Sequence, residues 1–136
     1  TNSSRSRKLV RYILCALEHY AGGAELDFRS ESYNIEHILP QQAQDGWGGL
    51  NFDQIQALTY RLGNMTLLDN ADNRTLGNKS YAEKKPVLAK SIFVCTKKVA
   101  EDYKEEWNDD SIASRQQWMA NQAKTIWKVA QFDGKD

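Results

Sequence analysis

The chain has 136 residues, 40% of them hydrophobic and 26% charged, with 18 basic against 18 acidic side chains. One domain with one real core fits that length, and a disordered tail, a collagen-like repeat or a coiled-coil rod does not. Zero net charge excludes a generally polycationic binder of nucleic acid, though not a local basic patch.

No apolar run approaches the ~18 residues of a membrane span. The first residue is Thr1, not Met, so a piece of a longer protein is expected. Residues 1–6 are polar and read as frayed. Residues 7–20 place Leu9, Val10, Ile13, Leu14 and Leu17 at helical spacing before Gly22 and Gly23. Tyr33 to Leu39 is β-rich and stops at Pro40, which predicts a short strand. Gly46, Gly48 and Gly49 around Trp47 predict a loop, and nucleic-acid contact is one reading of that Trp. Asn51 caps a predicted helix to about Leu62, with Phe52, Ile55 and Leu58 on one face. Gly63-Asn64 then breaks it, and Met65 to Leu68 forms a second strand.

Beyond the strands, a short helix near 71–76 and another from Ser80 are expected, with Pro86 opening a further turn. Thr96 is expected to cap a helix through Trp107. Asp109, Asp110 and Ser111 precede a last helix to about Ala130. Trp107, Trp118 and Trp127 read as core. The fold class is α+β and mostly helical: a two-stranded element wrapped by helices. Cys15 and Cys95 sit in apolar surroundings without a CxxC pair, which suits buried free thiols in a reducing cytoplasm.

Charge is uneven. Residues 74–98 hold Arg74, Lys79, Lys84, Lys85, Lys90, Lys97 and Lys98 against Glu83, and residues 101–110 are mainly acidic. Solvated helix faces explain such runs, and so does a phosphate-facing surface.

Only two histidines occur. His19 ends the first helix, where a cation meets the dipole favourably. His37 lies in a strand closed by proline, beside Glu36. The order is strand with His37, turn with Asn64, strand, then helix with Asn73. A ββα hairpin of that kind brings the strand His and the helix Asn to one cleft. There an imidazole can take a proton from water, and carboxylate and amide oxygens suit Mg²⁺.

The pieces Ile35-Glu36-His37-Ile38-Leu39-Pro40-Gln41, then Leu62-Gly63-Asn64-Met65-Thr66-Leu67-Leu68, then Asn73, Asn78, Tyr81 and Lys84 resemble the HNH (His-Me finger, ββα-metal) nucleases. In particular they resemble the C-terminal nuclease domain of GmrSD-type restriction enzymes, with flanks that extend the likeness over residues 8–128. The resemblance implies a single nuclease domain over residues 1–136, with a ββα core at about 33–85 and helical flanks at 7–21 and 86–130. It implies a metal-dependent endonuclease that nicks or cleaves double-stranded phage or modified DNA. Such a domain usually follows an N-terminal ParB-like nucleotide-hydrolysing domain in a prokaryotic, cytoplasmic anti-phage protein.

Residue by residue, the resemblance makes His37 the general base, Asn73 a metal ligand and Asn64 the residue that orients the imidazole. Glu36 would be the second ligand of Mg²⁺ or Mn²⁺. Adjacent strand residues point to opposite faces, so Glu36 ligates only if the strand end is twisted or bulged, and otherwise supports the site from behind. Lys84, with Arg74, Lys79 and Lys85, would contact phosphates. Asn78 would be structural or touch the backbone. Zinc is not expected, because no cysteine lies near the motif and His19 and His37 alone make no four-ligand site. A non-catalytic DNA-binding or regulatory module and an RNase are the competing readings.

Overall fold

In the computed structural model, residues 4–43, 47 and 49–133 are described, with side chains to 128. The order is α1 (Ser4–Tyr20), β1 (Tyr33–His37), α2 (Phe52–Thr59), a 3₁₀ turn (Leu62–Asn64), β2 (Met65–Asp69), α3 (Asn70–Leu76), α4 (Tyr81–Ala89), α5 (Val94–Asp102) and α6 (Asp109–Asp133). The two strands pair antiparallel in unbroken register, from Tyr33 opposite Asp69 to His37 opposite Met65. The architecture is a mostly helical α+β fold, a ββα hairpin wrapped by helices.

β2 is buried on both faces, which is why it reads as a continuous apolar run rather than an alternating one. One face carries Leu68 into a cluster with Ile38, Leu76, Leu88, Trp107 and Ile112. The other carries Met65 and Leu67 against Leu14, Leu17, Phe93 and Met119. Three helices close the second cluster. Glu18 of α1 is buried and accepts hydrogen bonds from the backbone N–H groups of Val94 (2.6 Å) and Cys95 (2.9 Å). It thereby satisfies orphan donors at the start of α5. Gly63 lets α6 approach: a Cβ there would stand 2.3 Å from the carbonyl oxygen of Ile112.

Several local expectations change. Ser4 to Ser6 belong to α1 rather than to a frayed end, while residues 1–3, Gly46 and Gly48 lie outside the described residues. Leu9 and Phe52 face solvent, because α1 and α2 each bury a narrower stripe than their apolar content suggests. β1 ends at His37, two residues early, where the chain turns inward and Ile38 and Leu39 become core. Pro86 sits inside α4; Ala82, whose carbonyl loses its partner there, is exposed and can be served by water.

Thr96 does not cap α5. Phe93 holds that position, and the buried Thr96 hydroxyl donates to the Leu67 carbonyl (2.6 Å) beside Thr66. α5 stops at Asp102. α6 is capped by Asn108, whose side chain accepts from the Ser111 N–H. Trp107 is core, Trp118 is half-buried at its edge, and Trp127 is largely exposed. Trp47 is itself core, which removes it as a nucleic-acid contact. Cys15 and Cys95 are buried free thiols.

Candidate active site

β2 runs into α3 without a loop, because Asp69 both ends the strand and accepts the Asp72 N–H as the helix cap (2.9 Å). α3 therefore starts at a fixed angle to the hairpin. Residues three apart share a helix face, and Asn70 and Asn73 turn toward the chain of β1. Asn70 donates to the Glu31 carbonyl and Asn73 to the Ile35 carbonyl (3.2 Å). Gly77, at positive φ (48°), then reverses the chain after α3, a conformation open to glycine.

These elements enclose a cleft of about 240 Å³ lined by Glu36, His37, Gln41, Asn73, Gly77 and Asn78, among others. His37 is half-buried, and its ring meets Tyr60 edge-on at 5.9 Å. Burial, then the nearby charges of Lys84 and Arg7, pull its pKa down to about 4. The imidazole is thus neutral at pH 7 and able to accept a proton.

Glu36 points away from His37, as regular strand pairing demands. Its Oε2 accepts from Lys84 Nζ at 2.8 Å, with the Lys84 side chain wholly buried and that of Glu36 5% exposed. Lys84 also donates to the carbonyls of His37 (3.0 Å) and Ile38 (3.0 Å). All three ammonium protons are used. Burial raises the Glu36 pKa and lowers that of Lys84, in each case outweighing their mutual attraction. Lys84 is therefore not a phosphate contact but an internal clamp on the strand end that carries His37.

Asn64 completes the clamp. Its amide donates to the carbonyls of Leu39 (2.9 Å) and Thr59 (3.1 Å), and its oxygen accepts from Leu39 N–H (2.8 Å) and Trp107 Nε1 (2.9 Å). Its own carbonyl accepts the Ile38 N–H (3.0 Å). With no exposed surface, Asn64 cannot touch a substrate. It positions the segment after His37 through the backbone and makes no hydrogen bond to the ring.

The expected phosphate contacts disperse. Asn78 lines the cleft and donates to the Gln42 carbonyl (3.3 Å). Arg74 and Lys79 are exposed but line no part of the cleft. Lys85 donates to the Lys104 carbonyl (2.6 Å). Residues missed in the sequence are Tyr60 under the ring, Gln41 at the rim and Arg7 on α1. Only Gln41, next to Pro40, stood inside a recognisable motif.

Among the described residues, no group of three or more His, Cys, Asp or Glu side chains converges as a metal site. The donors at this cleft are instead oxygens. Glu36 Oε1 and the Asn73 side-chain oxygen make no hydrogen bond with the described residues, and both residues line the cleft. Oxygens are hard donors, and a set this sparse holds an ion only with water or substrate oxygens as further ligands.

A hairpin, a following helix, a strand-end His and a helix Asn on one cleft define a ββα core. The chain matches the family of GmrSD restriction endonucleases, C-terminal domain, over residues 1–122, and it belongs to that family. Membership supports a nuclease-type function. No curated protein matches the chain. No described helix is long and apolar enough to cross a membrane.

Proposed function

We propose that this domain is a metal-dependent HNH endonuclease that hydrolyses phosphodiester bonds of double-stranded DNA, as the effector of a prokaryotic, cytoplasmic anti-phage restriction protein. The observation that carries this reading is the shared cleft of His37 and Asn73, joined to the family. His37, neutral at pH 7, takes a proton from the water that attacks phosphorus. Glu36, turned away and paired with Lys84, supports the strand end from behind. Asn73, together with phosphate and water oxygens, holds the divalent ion, Mg²⁺ or Mn²⁺. Bound there, such an ion supplies charge neutralisation at the phosphate and at the departing oxygen. Lys84 and Asn64 keep the 37–39 backbone fixed, so that the imidazole does not reorganise as the proton moves. Asn78 positions the substrate from the far wall of the cleft.

Zero net charge suits a domain whose local concentration on DNA is set by tethering to another part of a longer chain, here an N-terminal ParB-like nucleotide-hydrolysing domain. Supercoiled plasmid incubated with the chain and Mg²⁺ or Mn²⁺ is expected to become nicked or linear, and EDTA to prevent it. His37→Ala should lose ~10²–10⁴-fold of that activity. A His37→Ala variant as active as wild type would overturn the reading.

A further inference from the structure

Of the basic run over residues 74–98 only Lys84 reaches His37, from the buried side. On the open side α1 brings Arg7 and Val10 to the same depression as His37. The helix carries Arg5, Arg7, Lys8 and Arg11 before its first acid, Glu18. Arg11 is used by the fold: its guanidinium donates to the carbonyls of Phe28, Ser30 and Tyr33 and to the Asn34 side chain, fixing the loop before β1 against the helix. Arg7 and Lys8 are exposed and form no ion pair with the described residues.

Two depressions continue the catalytic cleft toward them. One, of about 180 Å³, lies between Arg7, Asn34, His37 and Gln41. It shares His37 and Gln41 with the cleft that holds Asn73. The next, of about 510 Å³, shares Asn34 and is bordered by Lys8, Arg29 and Asn70. Glu31 is the acid on that border, and Arg29 is paired with Asp27 at 3.3 Å. Arg11 lines the same depression with its guanidinium tied to backbone carbonyls, so the cations free to move onto a phosphate along this path are Arg7 and Lys8. Arg7 is also near enough to His37 to depress its pKa.

We infer that α1 is the track for the DNA strand on the side of His37 away from Asn73, with Arg7 and Lys8 contacting the phosphates that flank the scissile one. The inference rests on the nuclease reading and names where its substrate lies. In a chain of zero net charge, two exposed cations beside the reacting group give the phosphodiester backbone a local attraction that the whole molecule lacks. Because the path is open and solvated, that attraction is strongly dependent on salt.

The test is binding of a short fluorescein-labelled DNA duplex by the whole chain, followed by anisotropy between about 50 and 200 mM salt. Each phosphate contact contributes about 0.9 to the slope of log K against log salt, so Arg7→Ala/Lys8→Ala should lower the slope by about 2. Lys97→Ala, an exposed cation of the other basic run on α5, should keep the wild-type slope. Hydrolysis is read separately, as release of nitrophenol from bis(p-nitrophenyl) phosphate by wild type with Mg²⁺. An unchanged slope in the double variant, an equal or greater loss in Lys97→Ala, or no duplex binding by wild type at the lowest salt would each overturn the track. A slope lost as expected in a chain that hydrolyses nothing would keep the track and remove the nuclease reading alone.

Discussion

Lys84 Nζ stands 2.8 Å from Glu36 Oε2, with both side chains out of water. Two charges were desolvated to form this contact, and neither has an alternative partner of opposite sign among the described residues. Removing one leaves the other buried and uncompensated, which typically costs about 3–5 kcal/mol. Lys84→Met is thus expected to lose roughly that much stability in urea titration. Replacing both, as Glu36→Leu/Lys84→Met, should return a large part of it, because the desolvation cost vanishes with the charges. The double variant should still be a poorer nuclease than wild type, since the Lys84 bonds to the His37 and Ile38 carbonyls are lost with the ammonium. A Lys84→Met loss below about 1 kcal/mol, the scale of a surface pair, would contradict a buried clamp.

His37 couples the site to pH. Its folded pKa lies at about 4 against an ordinary 6.5, so on acidification the unfolded chain takes up the proton first. The stability due to neutral His37 is complete above pH 6.5 and is lost as pH falls from 6.5 to 4, at up to about 1.4 kcal/mol per pH unit. Glu36, with its pKa raised by burial, works in the opposite sense, so wild type must be compared with His37→Gln at each pH. The margin of wild type over that variant should shrink across this window. The acid limb of kcat/KM, which reports the free enzyme, should lie near 4 rather than at 6.5. A limb at or above the ordinary value would mean that the ring is hydrated in solution.

The hairpin and its helix were legible because their signals are local: two β-rich runs, a Gly-Asn break between them, and Asp69 capping α3. The placement of His37 opposite an Asn helix follows from that order. What was hidden depends on partners far along the chain. Lys84 sits in a basic run and reads as a phosphate contact, yet Tyr81, Lys84 and Leu88 are the buried positions of α4 and stand at helical spacing. That spacing, together with a carboxylate in a strand about to enter the core, was the available signal. Trp47 gave none, since a glycine-rich loop around an aromatic reads as exposed. The basic residues of α1 drew no reading beside the longer run at 74–98, and their proximity to His37 is set by the Arg11 bonds to residues 28–34, which no periodicity reveals.

Variants of Asn73 separate the proposed metal holding from scaffolding. Asn73→Ala removes the oxygen proposed to meet the ion and the amide that donates to the Ile35 carbonyl (3.2 Å). Plasmid nicking should fall at least roughly 10–100-fold, the scale on which even supporting groups of a metal site act. Asn73→Asp keeps an oxygen and adds charge, so it should retain more activity than Ala and reach half-maximal rate at lower Mg²⁺. Equal Mg²⁺ dependence in wild type and both variants would remove Asn73 from the ion. Activity lost to EDTA should return with added Mg²⁺ in wild type.

Asn64 should behave as a stability residue with an indirect effect on rate. Its side chain satisfies Leu39 N–H, Leu39 C=O, Thr59 C=O and the Trp107 indole N–H, all in the interior. Asn64→Ala leaves those four groups in a space with no surface for water. At about 1–3 kcal/mol for each buried group left unpaired, partly relieved by relaxation, a loss of at least about 3 kcal/mol in urea titration is expected. Asn64→Asp keeps the acceptor but sets a second oxygen against two carbonyls, so it should be no better tolerated at neutral pH. Because Asn64 acts on His37 only through the 38–39 backbone, whatever nicking survives in the folded fraction of Asn64→Ala should keep the wild-type acid limb. A shifted limb at unchanged stability would instead make Asn64 a direct partner of the imidazole.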